Sequence, residues 1–169
     1  VYLRLIWILR MAIHKLSIDD FITIDYGLIA IHSPLEDYRL AYFLNRELAI
    51  LLEKSAEDIS YSIRGGESGF SRFAYEDGND TLWSLVQNRH SIVGTQPGES
   101  LFGQAGMNVA TSTFLLPELK KVDYILKIEN TPDVFALDTV VGSLLTVKHI
   151  TTAYIIDHNK LKSKNNLIF

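Results

Sequence analysis

The chain has 169 residues, 47% of them hydrophobic, which suits one compact domain with a substantial core and leaves little room for two. A formal net charge of −4 argues against a broad nucleic-acid footprint, which needs clustered Lys and Arg to displace phosphate counterions. Cysteine is absent, which removes disulfides and thiolate chemistry and makes a reducing compartment, the cytoplasm, the expected location.

The first ten residues, VYLRLIWILR, are apolar but short, and Arg4 and Arg10 interrupt any segment long enough to span a bilayer, so no membrane insertion is expected. No small-residue cleavage site follows before Asp19 and Asp20, which speaks against a signal peptide. Met11 reads as the natural start, with residues 1–10 a non-native upstream extension and 11–169 a single domain. From Phe21 to His32 the chain reads as a strand, and Leu28 to Ile31, apolar on both faces, place it centrally in a sheet. Ser33, Pro34 and Glu36 then form an S-x-x-E capping box with proline at the first helical position. Leu40, Phe43, Leu44, Leu48, Leu51 and Leu52 recur at helical spacing and give that helix its core stripe.

Residues Glu57 to Arg64 read as a short strand ended by Gly65 and Gly66. Phe70 to Glu76 and Thr81 to Asn88 are rich in aromatic and branched residues, and Asp77-Gly78-Asn79-Asp80 between them is a hairpin signal. Arg89 to Asn108, with four glycines and Pro97, reads as the longest surface loop. A strand over Val109 to Leu116 ends at Pro117, which cannot donate to a ladder, and Glu118 falls on the turn. Val122, Tyr124, Leu126 and Ile128 then alternate with Asp123, Lys127 and Glu129, as in a half-buried strand whose polar face only Ile125 breaks. Thr131, Pro132 and Asp133 open a second helix with a buried stripe of Val134, Leu137, Val141 and Leu144 or Leu145, closed by Lys148 and His149. Ile150 to Ile156 returns as a strand and completes a β-α-β unit with a parallel crossover.

Three stretches carry a family resemblance: LPELKKVDY at Leu116 to Tyr124, HSPLEDYRLAYFLN from His32, and TAYIIDHNKLKSKNNLIF from Thr152 to Phe169. Together they resemble the bacterial IPExxxVDY family, with Leu116 in place of the isoleucine of its signature. The resemblance implies no mechanism, since the family carries no assigned activity, and it singles out Pro117, Glu118, Val122, Asp123 and Tyr124 as motif residues. VKHITTAY, at Val147 to Tyr154, is in addition similar to the helix-to-last-strand passage of ferredoxin-like small-molecule-binding modules.

No phosphate-binding glycine loop, dinucleotide fingerprint, H-E-x-x-H or G-x-S-x-G is present. Histidines at 14, 32, 90, 149 and 158 lie too far apart for local metal-ligand spacing, and packing or surface roles are expected for each, so neither metal nor cofactor is expected. His32 ends a central strand directly before a helix, where open sheets tend to place ligands. Glu118 and Asp123 form a candidate carboxylate pair, against which stands a turn-capping role for each. Lys160, Lys162 and Lys164 precede an apolar Leu167, Ile168 and Phe169, a pattern expected to dock its apolar end and leave Lys162 and Lys164 solvated. The expected fold is α+β, a mainly antiparallel sheet with two packed helices and ferredoxin-like β-α and β-α-β units enlarged by a hairpin. The leading function is a non-catalytic binding or adaptor domain with a protein partner or a homo-oligomer. An RNA-associated factor using the tail lysines and the aromatics Phe73, Tyr75 and Trp83 is the alternative, and an enzyme with an unrecognised site comes third.

Overall fold

The computed structural model describes residues 26–63, 66–95, 108–131 and 135–169. The expectations for residues 1–10, for residues 21–25 of the first strand, for Arg64 and Gly65, for residues 96–107 of the long loop and for Pro132, Asp133 and Val134 lie outside these. Ten strands and two helices follow one another as β1 (Tyr26–His32), α1 (Asp37–Leu48), β2 (Glu53–Lys54), β3 (Ile59–Ile63), β4 (Gly66–Phe70), β5 (Arg72–Glu76), β6 (Leu82–Gln87), β7 (Arg89–Thr95), β8 (Asn108–Phe114), β9 (Tyr124–Glu129), α2 (Leu137–Thr146) and β10 (Thr152–Ile155). Six of them form an antiparallel sheet in the order β10-β1-β9-β6-β5-β2, and β3–β4 and β7–β8 are separate two-stranded hairpins. The fold is therefore α+β. Both β9 and β10 pair antiparallel with β1, so they run parallel to each other with β1 between them, and the crossover through α2 spans an intervening strand.

The β5–β6 turn forms as its residues dictate. Asp77 Oδ1 accepts from the amides of Asn79 and Thr81 at 2.8 and 3.1 Å, and Asp80 takes a left-handed φ of 62° that aspartate tolerates. The expected loop from Arg89 to Asn108 is corrected at both ends. Arg89–Thr95 and Asn108–Phe114 pair as β7 and β8 in a register from Arg89 opposite Phe114 to Thr95 opposite Asn108. The branched Ile92, Val93, Val109 and the Thr-Ser-Thr run of β8 favour extended backbone, and the glycine density masked that alternation.

The capping box is also corrected. Helix α1 begins four residues after Ser33, with Glu36 as an extended N-cap whose side chain makes no cap hydrogen bond. Pro34 follows Ser33 in the connecting turn, and the Ser33 hydroxyl donates to the His149 carbonyl at 2.9 Å and accepts from the Leu35 amide at 3.3 Å. At its other end α1 stops at Leu48 because Ala49 turns left-handed at φ 52°, which leaves Leu51 exposed. Asn45 bonds both the amide and the carbonyl of Leu52 and so returns Leu52 to the core. Helix α2 starts at Leu137 rather than at the Thr131 signal and ends before Lys148 and His149. Its buried residues are Val140 and Leu144, whereas Leu137 and Val141 of the expected stripe are half-buried and Leu145 is exposed.

The sheet is covered on both faces. Ile29 and Ile31 of β1 and Tyr124, Leu126 and Ile128 of β9 meet Leu40, Ala41 and Leu44 of α1 and Val140 and Leu144 of α2. On the opposite face Leu28, Ala30 and Ile125 pack with Phe70, Leu115, Leu116, Val122 and, from the C-terminal tail, Leu161 and Leu167. Strand β9 is thus buried on both sides, not half-buried, and Val122 belongs to the tail side rather than beside Tyr124. The strand begins only at Tyr124, so its alternation does not run back through the preceding turn. The tail docks as its apolar end requires: Leu167 is 1% exposed, Phe169 packs against the same cluster, and Lys162 is solvated. Lys164 is half-buried and Ile168 points outward.

Lys127 departs most from the polar-face expectation, since it is buried among these apolar residues. Its ammonium donates to the Leu167 carbonyl at 2.8 Å, pairs with Glu129 Oε1 at 2.7 Å, and sits 5.0 and 4.9 Å from the ring centroids of Tyr26 and Phe169. A buried cation tolerates loss of its counterion poorly, whereas removing both charges is far milder. Glu129→Gln is expected to lower stability by about 2 kcal/mol or more in urea unfolding, and adding Lys127→Met to recover most of it. Additive losses would show that the two side chains are not coupled.

Candidate functional site

The segment from Leu115 to Tyr124 binds three other parts of the chain. Leu116 is extended, as a residue before proline prefers, and Pro117–Leu119 makes one 3-10 turn. That turn aims Glu118 at the tail, where its Oε1 accepts from the amides of Lys162 and Ser163 at 2.5 and 2.6 Å. Partial desolvation pushes the Glu118 pKa up, but its own amide and those of Ser163 and Lys162 outweigh that and hold the carboxyl below the ordinary range. Asp123 Oδ2 accepts from the Ser33 amide at 3.0 Å. The Tyr124 hydroxyl donates to the Leu35 carbonyl at 2.6 Å, and burial, with Asp37, Asp123 and Glu36 nearby, raises its pKa strongly. Val122 is buried between these polar anchors.

Asn88 was not singled out by the sequence, yet it holds the segment together. Fully buried after β6, its Nδ2 donates to the carbonyls of Leu119 and Val122 at 2.8 and 3.0 Å, and its Oδ1 accepts from the Leu116 amide at 2.8 Å. Its main chain donates to the Asp123 carbonyl and accepts from Leu115. Its only sequence signal is an asparagine that ends an apolar strand, and that pattern equally marks an exposed turn.

Two clefts flank the segment. One, of about 360 Å³, is lined by Ser33, Pro34 and Leu35, by Gln87 at the end of β6, by Arg89, His90 and Ser91 of β7, and by Asp123 and Tyr124. The other, of about 490 Å³, is lined by Pro117 to Val122 and by Tyr154 of β10. Glu118 and Asp123 therefore fall in different clefts, and His32 lines neither; its ring stacks on Tyr154 at 5.9 Å. The expected carboxylate pair is not assembled with His32. Both carboxylates are occupied by backbone amides, the turn-capping role weighed against catalysis.

The other candidates are also placed. Each of the four described histidines packs on an aromatic ring: His32 on Tyr154, His90 on Phe70, His149 on Phe43 and His158 on Tyr26. His14 lies outside the described residues. Phe73 and Trp83 are buried and Tyr75 packs partly against the same helix-side core, which removes them as a base-stacking surface. Among the described residues no group of three or more His, Asp or Glu could hold a metal ion, and no helix is long and apolar enough to cross a membrane. Comparisons with protein-family models, curated proteins and solved structures returned no match.

Removing the Asn88 side chain strands one amide and two carbonyls, each worth about 1–3 kcal/mol when buried and unpaired. Asn88→Ala is expected to cost about 3 kcal/mol in urea unfolding, and a loss under about 1 kcal/mol would show that water or rearrangement replaces the side chain. The Glu118 contacts carry a pH signature. Because the folded pKa is depressed, their stabilisation is complete above the unfolded value, about 4.3, and is lost as pH falls through the folded one. The stability advantage of the native protein over Glu118→Gln should therefore be full at pH 7 and shrink steadily as the pH is taken below about 4. An advantage that does not change between these pH values would mean that the charge has no part in holding the tail.

Proposed function

We propose that this chain is a non-catalytic cytoplasmic binding or adaptor domain of the IPExxxVDY family, recognising an acidic group on a protein partner. The observation that carries the reading is the division of labour around the smaller cleft. The carboxylate of Asp123 is engaged by the Ser33 amide, and the Tyr124 hydroxyl is donated to a backbone carbonyl. A general base or acid needs a proton-transfer position open to substrate; the Tyr124 hydroxyl gives its proton to the main chain, and one oxygen of Asp123 is held by an amide. The other polar side chains lining the cleft, Arg89, His90, Ser91 and Gln87, can each donate, Arg89 as a donor only. Arg89 is exposed, lines the cleft and donates from Nη2 to Ser112 Oγ at 3.3 Å. A planar guanidinium beside an imidazole and a hydroxyl suits a carboxylate. The cytoplasmic assignment rests on the cysteine-free composition. Burial of Phe73 and Trp83 weighs against the RNA-associated alternative.

The test is affinity purification of the tagged chain with mass spectrometry of the proteins that co-purify, run beside Arg89→Glu. Arg89 is exposed, so the variant is expected to unfold at a midpoint within about 2 °C of the native protein. Recovery of a partner by the native chain and its loss with Arg89→Glu supports the reading. Equal recovery by both chains, or an eluate holding RNA and no protein, refutes it.

A further inference from the structure

The two edges of the six-stranded sheet are finished differently. Strand β2 closes one edge with only Glu53 and Lys54, both charged and exposed, which is how sheets deter further pairing. The other edge, β10, reads Thr-Ala-Tyr-Ile without charge or proline, and leaves Tyr154 42% and Ile155 40% exposed, although just before it the Thr151 amide also turns in to the His32 carbonyl. The Ile156 amide donates to the Leu28 carbonyl, and Ala30 lies opposite Tyr154, so the even-numbered main-chain groups of this strand face β1. By alternation the N–H and C=O of Ala153 and Ile155 face the open edge.

That outward set is symmetric about Tyr154. Two copies laid antiparallel place Ala153 of each opposite Ile155 of the other as hydrogen-bonded pairs, and Tyr154 opposite Tyr154 at the non-hydrogen-bonded position where side chains come closest. Tyr154 is already held in place by its stack on His32. It lines the larger cleft beside Lys120 and Lys121, which are exposed cations in an acidic chain.

We propose that the protein self-associates through β10, joining two six-stranded sheets about a twofold axis at Tyr154. Each side contributes one short strand and two apolar side chains, so the dimer is a weak one, formed at high chain concentration. The absence of cysteine permits a register test with single-cysteine variants of the full chain under mild oxidation. Tyr154→Cys is expected to form a disulfide dimer at least tenfold faster than Ala153→Cys or Ile155→Cys, whose positions do not face themselves across the axis. Sedimentation equilibrium up to about 1 mM chain should show a monomer–dimer equilibrium for the native protein. Ile155→Pro, which removes an outward amide without breaking the ladder to β1, and Tyr154→Lys should both be monomeric with unchanged thermal midpoints. Equal cross-linking at all three positions, a native chain monomeric throughout the range, or a dimer that survives both substitutions would each overturn the proposal. A native monomer whose β10 instead pairs with an extended segment of another protein would register as the second of these outcomes.

Discussion

The constraint on which this structure depends is that β1 and β9 are apolar on both faces. A strand with Leu28, Ile29, Ala30 and Ile31 in succession has no polar side to give to water, and neither does β9 with Tyr124, Ile125 and Leu126. Burying one such leucine or isoleucine is worth about 1.5–3 kcal/mol, so a sheet built on these two strands needs a cover on each side. Helices α1 and α2 supply one. Among the described residues no α-helix remains for the other, and it is made from Phe70 at the end of β4 and, for the rest, from loops and short turns: the Leu115–Val122 turn and the tail from Ile156 to Leu167. Irregular cover has a physical cost, because every backbone group it brings inside must find a partner that no ladder provides.

The polar residues of the LPELKKVDY stretch meet that cost. Glu118 takes two tail amides, Asp123 takes the amide that leaves β1, and Tyr124 takes the carbonyl of Leu35 ahead of α1. Asn88 supplies one acceptor and two donors from the β6 side, so the segment is held on three sides. The same side chains that resemble acid–base machinery in a one-dimensional reading are thus backbone partners in three dimensions. The side chains lining the two clefts that do not take part in these contacts include Arg89, His90 and Ser91 in one and Lys120, Lys121 and Tyr154 in the other.

How much of this was legible in the sequence follows from the range of the interactions. The α+β class, the β5–β6 hairpin and the docking of Leu167 were readable because short-range periodicity, a four-residue turn or the cost of exposing an apolar side chain sets each of them. The start of α1 was misplaced because Ser33 finds its partner in His149, 116 residues away, and no local rule anticipates a bond of that separation. Asn88 and Lys127 were missed for the same reason. A polar residue on a strand is read as solvent-facing unless the chain that covers it is known, and here the cover arrives 31 and 40 residues later.

Lys127 shows why the tail needs polar contacts as well as apolar ones. Leu161, Leu167 and Phe169 supply attraction, but apolar contact is non-directional and would tolerate a tail displaced by a residue in either direction. The Lys127 ammonium accepts only one placement, with the Leu167 carbonyl on one side, Glu129 on another and the Phe169 ring alongside. Arg72 repeats the device from β5, its guanidinium carbon 4.7 Å from the Phe169 ring centroid and its Nη2 on Ser84 Oγ. Burial lowers the Arg72 pKa, so this position is an expense borne by the fold. Glu118 fixes the near end of the tail through two amides, and the two cations fix the far end through a carbonyl and a ring. With both ends set, the residues between them have one register on the sheet, and a segment with no more than two short 3-10 turns, His158–Lys160 and Lys164–Leu167, helps to form the second layer of the domain.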